Sequence, residues 1–211
     1  MSVLSNRRLV RRTVQLFLGL ILYGVSMALM VESGLGLNPW DVLHQGLSRT
    51  LGLSIGTVVI IIGAVVLLLW IPLRQRPGFG TIANIFVIGF AIDAALLVLP
   101  TATGLPLRIA FLAAGVLFNG LATGLYIGSR LGPGPRDGLM TGLRARLPRV
   151  SLRVIRTGIE VLVLATGFLL GGTVGIGTVV YALAIGPLAQ FFIPRCTVRP
   201  AAAEPVGVRP Q

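Results

Sequence analysis

Five acidic side chains stand within or beside long apolar segments, and they are the residues best suited to chemistry in this sequence. They are Glu32, Asp41, Asp93, Asp137 and Glu160, whereas the sixth acid, Glu204, lies in a Pro/Ala-rich tail. A carboxylate inside a bilayer costs about 2.5–3.5 kcal/mol on insertion scales, so it usually faces a partner or a water-filled cavity. These acids therefore suggest a hydrated pathway that binds a cation or a proton.

Asp41 and Asp137 each follow a proline by two residues, in the first turn of short helices predicted over Pro39–Leu51 and Pro135–Leu147. One interpretation is helix capping, because Asn38 is placed to cap the first helix and an early acid suits the helix dipole. The alternative is a solute site, because paired short segments interrupted by Gly and Pro point to transporter binding sites. The two interpretations are compatible.

Trp40 and Arg136 occupy equivalent positions in the two short helices. Trp40 suits an interfacial anchor on the outer face of a membrane, and Arg136 suits the excess of positive charge on the inner face. Both are candidate pathway residues, together with Asn38.

Polar side chains also recur in pairs along the apolar segments. One interpretation is that they line a shared cavity; the alternative is interhelical hydrogen bonding, worth about 0.6 kcal/mol and at most 1–2. For Glu160, an ion pair with Arg156 one turn earlier competes with a role as a proton relay. The pairs are Tyr23 with Asn119, Asn84 with Tyr181, and Asp93 with Gln190.

Other reactive residues are few. His44 is the single histidine and Cys196 the single cysteine, and no His-Glu-x-x-His motif is present. A metal site or an intramembrane enzyme would need a cluster of such groups. The sequence therefore predicts no metal, no cofactor and no enzymatic activity.

The elements that position these residues must be membrane helices. The chain is 55% hydrophobic and 11% charged, with a mean hydropathy of +0.92, which is more apolar surface than a soluble domain could bury. A span needs about 20 apolar residues, whereas the two short helices would be only about 20 Å long and must be interfacial or re-entrant. Six segments qualify as spans: Thr13–Val31, Ile55–Pro72, Thr81–Leu99, Leu107–Ile127, Val154–Leu170 and Ile176–Ile193.

The basic residues predict an orientation in the membrane. All 18 are Arg, which fits a GC-rich bacterial genome, and only Arg49 and Arg108 fall outside if the N-terminus is inside. The positive-inside rule then places both termini in the cytoplasm. The net charge of +12 lies in short tracts rather than one patch, so lipid is the expected partner and nucleic acid is not.

An internal duplication organises the chain. A shift of 96 residues places Ser33–Leu47 over Ser129–Leu143 with eight of 15 positions identical, and one further residue of offset matches the Gly-x-Gly-Thr motifs ending at Thr81 and Thr178. Three spans per repeat make the second repeat inverted in the membrane, as in many transporters. The predicted fold is an all-α 3+3 inverted repeat, with an Arg-rich N-terminus 1–12, repeats 13–100 and 107–194, and an unstructured cytoplasmic tail 195–211.

Three motifs resemble the bacterial YczE/YyaS/YitT family of integral membrane proteins, over roughly residues 10–195. They are Gly34-Leu-Gly-Leu-Asn-Pro-Trp-Asp41, Gly78-Phe-Gly-Thr81 and Ile88-Gly-Phe-Ala-Ile-Asp93. The resemblance implies a multi-pass protein of the bacterial inner membrane, in a family some of whose members are suspected of transport.

The function predicted from repeat and resemblance together is a small permease-like transporter that moves an unidentified small solute between the repeats. The alternative is a substrate-binding or accessory subunit that acts with a partner energiser. In that case the ridge of Gly120, Gly124 and Gly128 would be its docking surface. The chain could also form a homo-oligomer.

Overall fold

Helices account for all the regular structure in the part of the chain that is described. The computed structural model describes the backbone of residues 3–198 and the side chains from Arg8 onward. This confirms the predicted all-helical class and both short helices. The eight helices are α1 (Val3–Ser33), α2 (Pro39–Leu51), α3 (Ile55–Leu73), α4 (Phe79–Val98), α5 (Leu105–Gly128), α6 (Pro135–Arg146), α7 (Leu152–Leu169) and α8 (Ile176–Cys196).

Five of the helices, α1, α3, α4, α5 and α8, are long and apolar enough to cross a membrane. The sixth predicted span forms helix α7, but it carries Arg153, Arg156 and Glu160 and is not among these five. Large apolar side chains such as Phe90 and Leu183 are exposed on the outside of the bundle, as expected for a surface that faces lipid. The number of crossings stays a prediction.

Two helices extend by three or more residues beyond one end of the predicted spans. Helix α1 begins at Val3 rather than Thr13, and α8 ends at Cys196 rather than Ile193. Arg is a good helix former, so the Arg-rich start continues the helix outside the apolar segment. The side chain of Arg7 and all of residues 199–211, including Arg199, Glu204 and Arg209, lie outside the described residues.

Local capping explains where α2 begins and ends. The Asn38 side chain accepts a hydrogen bond from the Asp41 backbone N–H at 3.0 Å, and Pro39 takes the first helical position. Gly52 ends the helix with a left-handed φ of 68°, which glycine adopts without strain. Helix α6 has Gly134 in the place of Asn38 and no side-chain cap. The predicted cap is thus confirmed, and Asn38 supplies it.

The long helices α1 and α5 pack antiparallel along the centre of the bundle. Near the start of α1, Arg12 Nε donates to the Ser129 carbonyl beyond the end of α5, at 2.7 Å. Near the start of α5, Arg108 Nε donates to the Ser33 carbonyl at the end of α1, at 2.6 Å. Each pair of partners occupies matched positions of the sequence repeat, so the contact is reciprocal.

The Gly-x-Gly-Thr motifs lie at the starts of α4 and α8, and they attach each of these helices to the opposite half of the chain. Gly80 N–H donates to the Leu131 carbonyl and Gly177 N–H to the Leu35 carbonyl, both at 2.8 Å. Thr81 also donates its hydroxyl to the carbonyl of Pro133, at 2.7 Å. These backbone contacts hold the loops that lead into α2 and α6.

The small-residue ridge of α5 packs inside the molecule. Gly120 lies against Leu188 and Gly124 against Phe192, both on α8. Gly128 contacts the backbone at the end of α8 in the same way. Glycine allows the two helices to approach closely. Because α8 covers the ridge, it is not available as a docking surface for a partner.

Candidate functional site

A cavity of about 540 Å³ lies between the two halves of the chain, and all eight helices contribute to its lining. This volume falls within the range of small-molecule sites. Branched apolar side chains form much of the wall, among them Val59, Ile88 and Ile185. The polar and titratable residues in the lining are Tyr23, Asn38, Trp40, His44, Asn84, Thr123, Tyr126, Arg136, Asp137, Arg156, Glu160, Tyr181 and Gln190.

The predicted pathway residues divide into two groups. Asp41, Asn119 and Asp93 are not part of the cavity wall. Of the pairs expected to line a shared cavity, only Asn84 with Tyr181 places both members there. The predicted residues that line the cavity are Asn38, Trp40, Asn84, Arg136, Asp137, Glu160, Tyr181 and Gln190.

Asp41 lies behind the wall as a buried counter-ion, with 1% of its side chain exposed. Its Oδ1 is 3.2 Å from His44 Nδ1 and 3.6 Å from Arg136 Nη2, while Asn38 Nδ2 donates to Oδ2. A buried carboxylate needs such partners, because leaving it unpaired would cost several kcal/mol. Asp41 therefore links α2 to Arg136 of α6.

His44 is a residue that the sequence reasoning left without a role. Burial lowers the pKa of its imidazole, so the neutral ring is the dominant form at pH 7. The neutral ring can donate from Nδ1 to Asp41. The spacing of three residues between Asp41 and His44 on one helix was the available signal.

Arg136 is positioned by contacts that leave its hydrogen-bond donors uncommitted. Its guanidinium carbon lies 4.9 Å from the centroid of the Trp40 ring, which is a cation–π arrangement. Within the described residues, no protein atom accepts a hydrogen bond from this guanidinium, and the buried Trp40 Nε1 also has no partner. The guanidinium offers five N–H donors in a fork that suits a carboxylate. The cavity wall thus presents unused donors on Arg136.

Asp137 follows Arg136 in the chain, and a hydrogen bond from α5 positions its carboxylate. Tyr126 donates its hydroxyl to Asp137 Oδ2 at 2.8 Å, and the other carboxylate oxygen accepts no hydrogen bond from the described residues. Tyr126 also packs edge-on against Tyr23, with 6.1 Å between the ring centroids. Neither tyrosine was among the predicted site residues, although Tyr23 was noted as half of a polar pair. A carboxylate oxygen of Asp137 is therefore available on the same cavity wall as the Arg136 guanidinium.

Asn119 acts in helix packing. It is fully buried, accepts a hydrogen bond from the Tyr181 hydroxyl at 2.9 Å, and donates to Ser26 Oγ at 2.9 Å. These bonds join α1, α5 and α8. For Asn119 the structure favours interhelical hydrogen bonding, while Tyr181 both lines the cavity and takes part in this link.

Asp93 binds the start of α3. Its Oδ2 accepts a hydrogen bond from Ser54 Oγ at 2.6 Å, and its Oδ1 accepts from the Gly56 backbone N–H at 2.8 Å. An acid at a helix N-terminus satisfies free N–H groups and suits the helix dipole. Asp93 thus joins α4 to α3.

On α7, the Arg156–Glu160 ion pair expected from the sequence is present at 2.8 Å, partly exposed, at the edge of the cavity. Arg156 was not among the predicted pathway residues, although it lines the cavity beside Glu160. The i, i+4 spacing of the two residues was the signal that could have included it.

Apolar helices with an apolar exterior, around an internal cavity that holds the charged side chains of Arg136 and Asp137, define an α-helical membrane protein. The chain matches, over residues 10–194, the family described as "Family of unknown function (DUF6198)", and it belongs to that family. No solved structure matches the chain.

Curated relatives cover most of the chain. It is 42% identical to an "Uncharacterized protein" of Haemophilus influenzae, over 86% of this chain and 84% of the relative. It is 32% identical to "Uncharacterized membrane protein YczE" of Bacillus subtilis, over 90% and 89% of the two chains. It is 28% identical to "Uncharacterized protein YyaS" of the same organism, over 84% and 90%. The resemblance inferred from the motifs is confirmed for YczE and YyaS.

Proposed function

We propose that the chain is a small transporter of the bacterial inner membrane, and not an enzyme, which moves a small solute through the cavity between its two repeats. The observation that carries this proposal is the cavity itself. It has the volume of a solute site, and residues of both repeats and of all eight helices line it. Solute sites of repeat-built transporters lie at such an interface.

The proposal includes six spans, with the second repeat inverted and both termini in the cytoplasm. Support comes from the reciprocal contacts Arg12–Ser129 and Arg108–Ser33, because a two-fold relation produces pairs of this kind. The antiparallel packing of α1 and α5 also fits equivalent helices that enter from opposite sides. In this topology α7 is the sixth span. Its charged residues then face the cavity or lie near its cytoplasmic end.

Solute would enter the cavity between α7 and α8. Arg156 and Glu160 of α7 and Gln190 of α8 line the cavity, and these two helices have few direct contacts with each other. In the proposed topology these residues lie in the cytoplasmic halves of their helices. In the proposed topology, a cavity that opens at this point faces the cytoplasm.

Transport by the purified chain in liposomes tests the proposal. Liposomes with and without the protein are incubated in a mixture of small polar metabolites, and mass spectrometry identifies compounds that enter only with protein. The variant Gly186→Trp should block this entry, because Gly186 lines the cavity and a side chain there meets open space. Gly158→Trp is the matched control, because Gly158 also has open space but does not line the cavity.

Two results would contradict the transporter proposal. One is the absence of any protein-dependent uptake, and the other is equal uptake by Gly186→Trp and the unmodified chain. If a partner membrane protein is recovered with the chain in detergent and uptake requires it, the accessory-subunit alternative replaces the proposal.

A further inference from the structure

We propose that the cavity binds a small zwitterion with an apolar body, of the type of an apolar amino acid, with its carboxylate on Arg136 and its ammonium group on Asp137. This inference rests on the proposed function, because it names the class of solute. The argument depends on which polar atoms of the wall lack partners, on the signs of their charges, and on the apolar surface opposite them.

Arg136 provides the anion-binding half of the site. Its guanidinium stacks on Trp40 and lies 3.6 Å from Asp41, so its position is set without use of its hydrogen bonds. Asp41 is 1% exposed and is occupied by Asn38 and His44, so it acts as a counter-ion behind the wall. A carboxylate in the cavity could take the two parallel N–H donors of the fork.

Asp137 provides the cation-binding half. The Tyr126 hydroxyl occupies Oδ2 at 2.8 Å, and Oδ1 accepts no hydrogen bond from the described residues. Asp137 Oδ2 and Asn84 Nδ2 both lie beside Gly134, so polar atoms of α4, α5 and α6 meet at this point. An ammonium group has three donors and would complete the coordination of this carboxylate.

The unused hydrogen-bonding groups of opposite sign disfavour solutes that carry only one charge. A simple carboxylate would pair with the Arg136 donors but leave Asp137 Oδ1 without a partner, and a simple amine would pair with Asp137 but leave the Arg136 donors without one. A polar group that is left unpaired where water is scarce costs free energy. The second charged pair in the wall, Arg156–Glu160, is already joined at 2.8 Å and adds no free charge of either sign. A zwitterion satisfies both free groups at once.

The rest of the wall suits an apolar body. Aliphatic side chains from α3, α4 and α8 face the same cavity and would bury the remainder of the solute. The cavity volume of about 540 Å³ is ample for a molecule of amino-acid size. The aliphatic residues in the lining are Val59, Ile62, Val66, Ile85, Ile88, Ile127, Ile185, Ala189 and Ile193.

Binding of matched probes to the full chain in lipid nanodiscs tests the inference. The probes are L-leucine, L-methionine and L-phenylalanine, with two analogues of leucine that each lack one charge, 4-methylpentanoate and 3-methylbutylamine. Calorimetry should detect binding of at least one amino acid. If leucine binds, each analogue should bind at least about tenfold more weakly, because each loses charge-assisted hydrogen bonds to one half of the site and leaves that half unpaired.

Conservative variants locate the two halves of the site. Arg136→Lys keeps the charge that balances Asp41 but loses the planar fork, and Asp137→Asn keeps an acceptor for Tyr126 but loses the charge. Each should weaken amino-acid binding by at least about tenfold while the melting temperature without ligand stays close to that of the unmodified chain. Arg144→Gln is the matched control on α6, because Arg144 is exposed and contacts only the carbonyls of Leu147 and Pro148. It should bind like the unmodified chain.

Several results would overturn the inference. They are equal binding of 4-methylpentanoate or 3-methylbutylamine and leucine, unchanged affinity in both site variants, and no binding of any of the three amino acids. Uptake of another compound into liposomes without amino-acid binding would overturn only the inference. Amino-acid binding without uptake would overturn only the proposed transport.

Discussion

Helices α3 and α4 pack closely, whereas α7 and α8, their equivalents in the sequence repeat, stand apart. In the first repeat, Gly56 lies against the Gly89 carbonyl and Asp93, and Gly63 lies against Ile85. In the second repeat, α7 packs on α2 and has few direct contacts with α8. Gly186, the equivalent of Gly89, has open space beside it.

Differences between matched residues explain why the seam between α3 and α4 is closed and the seam between α7 and α8 is open. Glu160 stands in place of Gly63, so a charged side chain with its Arg156 partner occupies the position where a glycine admits the neighbouring helix. Arg153 stands in place of Gly56. The α7–α8 seam therefore needs polar surroundings, and the cavity extends into it. The comparison teaches that a duplicated sequence can build one closely packed and one open pair of equivalent helices.

The membrane topology gives the largest expected effect, since its readout is all-or-none. Reporter fusions at Thr101 and Thr173 should be periplasmic, and fusions at Gln75 and Arg146 should be cytoplasmic, because the Arg-rich segments stay inside. The closed end of the α3–α4 seam would then face the periplasm and the open α7–α8 seam the cytoplasm. A cytoplasmic signal at Thr101 would break the comparison, because the two seams would no longer face opposite sides.

Crosslinking should distinguish the two seams directly. In a Cys196→Ser background, cysteines at Ser54 and Asp93 should react efficiently with a short bifunctional thiol reagent, because their side chains are in hydrogen-bond contact. Cysteines at the matched positions Ser151 and Gln190 should react poorly, because α7 and α8 stand apart. Crosslinked fractions on gels give the readout. Similar yields for both pairs would show that the seams do not differ in the membrane.

A matched pair of glycine substitutions should separate the seams by stability. Gly89→Ala should lower the free energy of unfolding by about 1–3 kcal/mol, because its new Cβ would lie only 2.8 Å from the Gly56 carbonyl oxygen. Gly186→Ala should be neutral or stabilise the helix by up to about 1 kcal/mol, because nothing lies near it. Thermal melting in detergent measures both. The comparison would weaken if the two variants melted alike.

The smallest expected effect is a pH dependence confined to the first repeat. Because burial lowers the folded-state pKa of His44 below its usual value near 6.5, stability should be complete above pH 6.5 and fall below it. One proton limits the slope to about 1.4 kcal/mol per pH unit. Melting between pH 5.5 and 7.5 measures it, and His44→Gln should remove the slope. The matched residue of the second repeat is Met140, which does not titrate. A pH dependence of stability that survives in His44→Gln would therefore arise from another group.

The sequence by itself was sufficient for the helices, because their signals are local. Apolar segments of membrane length predicted the long helices, and Pro39 and Pro135 marked the first residues of the short ones. The cap by Asn38 and the ion pair Arg156–Glu160 depend on residues only three or four apart. Eight of the polar residues in the cavity wall were also among the predicted residues, because a polar side chain in an apolar helix needs a polar neighbour.

Only the tertiary structure decided which of the polar residues meet. Asp93 and Gln190 are equivalent in the sequence repeat, yet Asp93 binds Ser54 and Gly56 while Gln190 lines the cavity. Arg136 was predicted as a pathway residue and as part of the positive charge on the inner face, but its contact with Trp40 joins helices that lie far apart in the sequence. The physical reason is that a side chain's neighbours in a helical bundle depend on how closely the helices approach. That approach is set by pairs of residues distant in the chain, such as Gly56 with Gly89.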